Sequence, residues 1–207
     1  MPRKPEQGVR ELRCVGELRG VSEEGREFVL EALAHRTGVR TEIFDFTEEI
    51  SPGAFKAAIP KSDIVLNVNH GRSSGVLART SSGTMRVYEN DDGLMLRARL
   101  GMDDPEAQSL VSKINRGDLA ALSFAMTVNR EGQAWSAGKK MPHRQITKVA
   151  ELFDVSIVER PAFPETEIIS ARDQSAAAHR SEAYAQAHDD VRRTALAEVA
   201  LRGHRSR

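Results

Sequence analysis

Nucleophilic hydrolysis needs a hydroxyl, a base and an acid that can meet, and this chain offers one of each where local pattern sets it apart. Ser123 lies in the stretch Leu119-Ala120-Ala121-Leu122-Ser123-Phe124-Ala125-Met126, whose residues alternate by size. Leu122, Phe124, Met126 and Val128 fall on one face, and Ala121, Ser123, Ala125 and Thr127 on the other. The bulky face wants a core, and the small face leaves room for a group to lie against the hydroxyl. His70 shares a face with Ile64, Leu66 and Val68 by the period-two rule, which places it at a strand end, with Gly71 as the break. On the later segment Glu151 to Val158, Phe153, Val155 and Ile157 share one face with Glu151, and Leu152, Asp154, Ser156 and Val158 share the other. Two acids, Asp154 and Glu151, therefore compete to orient an imidazole. A serine needs a base to take its proton, and the base needs an acceptor that fixes one tautomer. The order His, Ser, acid is no objection, because this constellation recurs in several chain orders. Each residue alone is more commonly an ordinary strand or loop polar group.

Composition narrows the alternatives. Lys plus Arg equals Asp plus Glu at 30 each, so no net field attracts nucleic acid or a membrane surface. Aromatics make up 5%, too few for base-stacking platforms. Cys14 is the single cysteine, which rules out an internal disulfide and a thiolate zinc cluster. A cysteine nucleophile there has nothing nearby to stabilise a thiolate. The pair Asp91 and Asp92 lacks the further oxygen ligands of a calcium loop and reads as a turn. No cofactor or metal is expected. No run approaches the ~20 apolar residues that span a bilayer, and the polar, basic start argues against a secretory signal. An esterase of the Gly-x-Ser-x-Gly type is disfavoured because that elbow is missing. The reading is a cytoplasmic protein.

The elements that must position these groups are mostly strands. Residues 1–10 read as a flexible arm. Glu11 to Arg19 suits a short strand, Glu23 to His35 has helical spacing in Phe28, Leu30, Leu33 and Ala34, and Thr41 to Phe46 alternates as a strand. Ser51-Pro52-Gly53-Ala54-Phe55 is turn chemistry leading into a short helix to Ile59. Gly75 to Tyr88 suggests a two-stranded ribbon turning at Ser81-Ser82-Gly83, and Leu94 to Leu100 is a further strand. Asp103-Asp104-Pro105-Glu106 starts a helix with buried Leu110, Val111 and Ile114, which Gly117 stops. Asn129 to Met141, with Trp135, reads as a mobile hairpin loop, and Pro161-Ala162-Phe163-Pro164 ends the sheet. From Ala176 to Leu201 the sequence is Ala-rich and charged, a helix with a weak apolar stripe.

Several short pieces then fall in one order. Pro52-Gly53-Ala54-Phe55, Asn69-His70, Asp92-Gly93-Leu94, Arg116-Gly117-Asp118-Leu119 running to Leu122-Ser123-Phe124, and Leu152-Phe153-Asp154-Val155-Ser156-Ile157-Val158 before Pro161-Ala162 resemble the prohead maturation proteases of tailed bacteriophages. That family is similar in fold to the herpesvirus assemblins. The resemblance spans about Thr41 to Ile169. It implies a fold that is mainly β with flanking helices, a small closed antiparallel β-barrel, as a protease domain over residues 11–170. Residues 171–207 would then be a helical tail, removable or scaffold-like. It also implies a serine endopeptidase inside the assembling procapsid in the host cytoplasm. Such an enzyme cleaves scaffold or the scaffold-like arm of the major capsid protein, often cleaves itself, and has the capacity to self-associate. Carried over by position, Ser123 matches the nucleophile, His70 the general base and Asp154 the acid, with Glu151 as runner-up. The family's acid is usually Glu before Val-Ser, and Gly-Phe commonly follows Ser-Phe where this chain has Ala125-Met126. Added bulk there is expected to narrow the substrate cleft or disturb an oxyanion donor. The alternative is a catalytically inactive relative serving as a capsid assembly or scaffolding protein.

Overall fold

The computed structural model describes residues 10–43, 45–72, 75–159, 185–194 and 197. Twelve strands are formed among them: β1 (Glu11–Glu24), β2 (Glu27–Arg36), β3 (Arg40–Ile43), β4 (Phe46–Ile50), β5 (Val65–Val68), β6 (Ala78–Arg79), β7 (Met85–Glu89), β8 (Gly93–Gly101), β9 (Leu119–Thr127), β10 (Gln133–Ser136), β11 (His143–Ile146) and β12 (Glu151–Glu159). Helix α1 spans Pro105–Arg116, and residues 185–194 are helical. The class is thus mainly β with two helices. The strands build an eight-stranded sheet in the order β6-β5-β12-β9-β1-β2-β8-β7 and a four-stranded sheet in the order β10-β11-β4-β3. Both are mixed, because β12 runs parallel to β5 and β11 parallel to β4.

A closed barrel is not found: among the described residues no ladder joins the edge strands β6 and β7. The large sheet is nonetheless strongly curled. Thr80–Thr84 alone connects one edge to the other, which holds the edges within about 20 Å of each other. The Thr84 hydroxyl accepts from the Arg79 N–H at 2.9 Å while its carbonyl accepts from Arg99 N–H at 2.8 Å. The curl encloses one core, with Leu30, Leu66, Leu96, Leu122, Phe124, Val155 and Ile157 fully buried.

The largest departure from the sequence reading is the helix expected from Glu23 to His35, which is instead the end of β1, a turn and most of β2. Strand β2 is paired on both sides, to β1 and β8, and Val29, Leu30, Ala32, Leu33 and Ala34 are all buried. A strand covered on both faces loses its period-two signal and mimics helical spacing. The expected ribbon from Gly75 to Tyr88 is also corrected. Its turn forms, but β6 pairs with β5 and β7 with β8, so the two arms never pair with each other. Thr41 to Phe46 likewise resolves into the separate strands β3 and β4, and the stretch Asn129 to Met141 contains β10, paired to β11. The short helix after Phe55 reduces to turns and one 3-10 turn at Ile59–Lys61.

Helix α1 forms as its sequence dictates. The Asp104 carboxylate accepts from the Glu106 N–H, Pro105 fills the first turn, and Ala107, Leu110 and Val111 are buried. Gly117 stops it with a left-handed φ of 82°, which lets its N–H bond to Ile114. The chain then enters β9 at once, and β9 carries Ser123. The expectations for the arm before residue 10, for Pro161-Ala162-Phe163-Pro164 and for a boundary near residues 170–174 lie outside the described residues. So does most of the expected Ala176–Leu201 helix beyond residues 185–194.

Candidate active site

Three strands set out a row of polar side chains. In register, Asn67 on β5 pairs with Ser156 on β12, and Ser156 pairs with Ser123 on β9. Residues in register share a face, so the three side chains line one face of the sheet. Leu66, Ile157, Leu122 and Phe124 fill the core behind them. The small residues of β9 earn their place here: Ala125 registers with Asp154, and its single methyl leaves room for a carboxylate. Met126, expected to crowd the cleft, points into the core and is fully buried.

Asp154 reaches this face through a β-bulge. Leu152 pairs with Met126 and Asp154 with Ala125, so Phe153 is the extra residue. A bulge re-aims the side chains that follow it. Strict alternation puts Leu152 and Asp154 on one face. The bulge instead sends Leu152 into the core and Asp154 to the polar row. Glu151, the competing acid, is exposed and registers with Thr127; it is not brought to the cluster.

His70 arrives differently from the expected strand-end position. β5 ends at Val68, and the backbone then turns left-handed at Asn69 (φ 51°), His70 (φ 56°) and Gly71 (φ 76°). This cancels the alternation that would have pointed the ring with Leu66 and Val68. Left-handed backbone costs on the order of 1–3 kcal/mol for each non-glycine residue, so the turn is held against its local preference. What it yields is a continuous relay. His70 Nε2 lies 2.7 Å from Ser123 Oγ, and His70 Nδ1 lies 2.7 Å from Asp154 Oδ1. The relay is nearly dry: Ser123 is 2% exposed and Asp154 1%, with the His70 side chain 18% exposed.

Further groups fix this geometry. Arg10, just before β1, donates to Asp154 Oδ2 and lies 5.0 Å from the centroid of the Phe153 ring. The Ser156 hydroxyl accepts from the His70 N–H at 2.8 Å and donates to Asn67 Oδ1. The sequence reading gave none of these three a role. Asn67 was detectable as the one polar residue in the apolar run Ile64 to Val68; Arg10 carried no signal.

An imidazole placed between a hydroxyl and a carboxylate can take the hydroxyl's proton on Nε2, while Nδ1–H to the carboxylate fixes the tautomer and supports the imidazolium. Among the described residues, no group of three or more His, Cys, Asp or Glu is arranged to hold a metal ion, and no helix is long and apolar enough to cross a membrane. No curated protein and no solved structure matches the chain. Residues 17–198, however, match the family model of the caudovirus prohead serine protease, and the chain belongs to that family.

Proposed function

We propose that this protein is the serine endopeptidase of procapsid maturation, with Ser123 as nucleophile, His70 as general base and Asp154 as the orienting acid. The family carries serine peptidase activity in prohead processing. The observation that supports these three residues is the pair of 2.7 Å contacts from the two His70 nitrogens to Ser123 and Asp154. In the first step Ser123 Oγ bonds to the scissile carbonyl carbon as its proton passes to His70 Nε2. The same proton then leaves with the amine half of the substrate, giving an acyl-enzyme. Water, deprotonated by His70, releases the acid half and restores the hydroxyl.

The substrates are scaffold or the scaffold-like arm of the major capsid protein, and the protease itself, inside the assembling procapsid in the host. Residues 171–207 would serve as the segment that retains the protease in the immature shell. Co-expression with the cognate capsid and scaffold proteins tests the reading. Wild type should shorten them, and Ser123→Ala and His70→Ala should leave them intact. Processing retained in either variant ends the proposed mechanism. A truncation after Asp173 that is still incorporated and processes normally removes the retention role.

A second reading, an inactive relative acting in assembly, draws on the 2% exposure of Ser123. A serine-directed fluorophosphonate separates the two. Mass addition on Ser123 supports the protease, and no addition under any assembly condition supports the scaffold.

A further inference from the structure

We infer that Ser156, held by Asn67, is a positioning residue that sets the general base by anchoring the left-handed turn beneath it. The inference rests on the triad reading above and deepens it. Ser156 is fully buried and Asn67 6% exposed, so neither hydroxyl nor amide is placed for contact with a large substrate.

The polarity of the contacts is fixed by chemistry. A hydroxyl has one proton and can accept as well. Asn67 Oδ1 can only accept, so the Ser156 proton goes to it. The Ser156 oxygen is then the acceptor for the His70 N–H, at 2.8 Å. Within the turn itself, the Arg72 N–H to Asn69 carbonyl bond of 3.2 Å is long, a weak restraint for two non-glycine residues in left-handed backbone. Ser156 adds a further restraint from β12, at the residue whose ring must be placed. The anchor lies in register with Ser123, so nucleophile and base are referred to the same rung of the sheet.

Asn67 has a second effect. Ser156 Oγ also lies 3.4 Å from Asp154 Oδ1, the oxygen that His70 Nδ1 approaches. While its proton is committed to Asn67, Ser156 does not compete with the imidazole for that oxygen. Without Asn67 the hydroxyl is free to rotate and donate to Asp154, which weakens the carboxylate's support of the imidazolium.

The test uses the full chain and a fluorophosphonate, so no substrate need be known. Labelling rates are measured across pH for wild type, Ser156→Ala, Ser156→Thr and Asn67→Ala, with thermal melts and the far-downfield imidazole N–H proton resonance as companions. Ser156→Ala should label about 10- to 100-fold more slowly, the range that small misplacements of reacting groups produce. Its melt should stay near wild type while the downfield proton is lost or broadened. Ser156→Thr, which keeps the hydroxyl, should recover most of the rate. Asn67→Ala should label more slowly and shift the pH profile to lower pH. Wild-type labelling rate and an intact downfield proton in Ser156→Ala overturn the inference and leave the triad standing. Should Ser156→Ala fail to fold, an unchanged rate and profile in Asn67→Ala overturn it. A wild type that is not labelled, or a Ser123→Ala variant that labels equally well, overturns the triad reading and this inference with it.

Discussion

Among the described residues, two buried polar clusters differ in kind. The first is the row Asn67, Ser156, Ser123, Asp154 and His70, which touches solvent at the His70 ring. The second joins the two sheets. Arg13 on β1 grips Glu48 on β4 through two nitrogens and donates to Glu11 at 2.7 Å. Arg144 on β11 reaches Glu11 Oε1 at 2.8 Å and Glu48 Oε2 at 3.0 Å. Two acids and two guanidiniums thus neutralise one another in a site where Arg13, Glu48 and Arg144 are at most 3% exposed. Burial alone would raise the Glu11 carboxyl, but hydrogen bonds from Arg144 and the Arg13 charge outweigh it and hold Glu11 at about 2. Burial opposes ionisation of Glu48 in the same way, and the Arg13 charge again prevails, holding its carboxyl below the ordinary range. The second cluster is closed: each charge has its partner and no proton has anywhere to go. The first is open, with a proton that can move between a hydroxyl and an imidazole. Buried polarity of the closed kind ties one sheet to the other; the open kind has the geometry for proton transfer.

The sharpest way to break this contrast is to remove the hydroxyl that the proposed mechanism uses. Ser123→Ala should cost on the order of 10⁶ in rate, about 8 kcal/mol of transition-state stabilisation, and leave the unfolding midpoint near wild type. A large loss of stability would place Ser123 in the structural class instead. Next comes the acid. Asp154→Asn should lower turnover by about 10⁴ through the wrong imidazole tautomer. Glu151→Gln, measured beside it on the same capsid or scaffold substrate, should change little, because Glu151 is exposed and outside the cluster. Equal losses in both would dissolve the distinction that the bulge at Phe153 makes between them.

For the closed cluster the expected signs reverse. Glu48→Ala leaves two guanidiniums facing one carboxylate and should destabilise by about 3–5 kcal/mol, the range for a broken buried pair. Pairing it with Arg13→Met restores charge balance around Glu11 and Arg144, so the double variant should be more stable than Glu48→Ala alone. Urea unfolding of the four corners of this cycle measures the coupling. Folded protein from any of them should still react at Ser123.

How far the sequence revealed these two clusters follows from the same physics. Ser123 was visible because β9 alternates large and small residues, and α1 because its cap, its proline and its stop glycine act locally. The candidate partners of Ser123 were identifiable by type, yet their directions were not. His70 is turned by a left-handed backbone and Asp154 by a bulge, and neither leaves a period in the sequence. β2 was misread as helix because burial on both faces erased its alternation. The ion cluster was invisible for a further reason. Glu11, Arg13, Glu48 and Arg144 occupy strand positions where charged residues ordinarily meet water, and only the docking of one sheet on the other buries them.

The smallest expected effect concerns His35, which stands beside the ion cluster without joining it. Its ring is buried against Phe124 and Phe55, at centroid distances of 5.6 and 6.3 Å, and both ring nitrogens lack a hydrogen-bond partner. Burial, with the Arg13 charge adding to it and the Glu48 charge opposing, pushes its pKa down to about 4. In the unfolded chain the ring takes up a proton near 6.5, whereas the native ring refuses one until about 4. Between those values the unfolded state binds more protons, so stability falls as pH drops through that window. Glu11 acts with the same sign but lower: its contribution is present above 4.5 and is lost as pH falls towards 2, and Glu48, also held below its ordinary value, acts in the same direction. The two windows can therefore be separated. His35→Leu removes no hydrogen bond and keeps similar volume, so at pH 7 it should be neutral or mildly stabilising. At pH 4.5 it should exceed wild type by up to about 3 kcal/mol, with the steeper loss below pH 4 unchanged. Urea unfolding at both pH values decides it. A wild-type slope persisting in His35→Leu between pH 6.5 and 4 would take that acid sensitivity away from this histidine and point to His143, whose pKa burial also lowers.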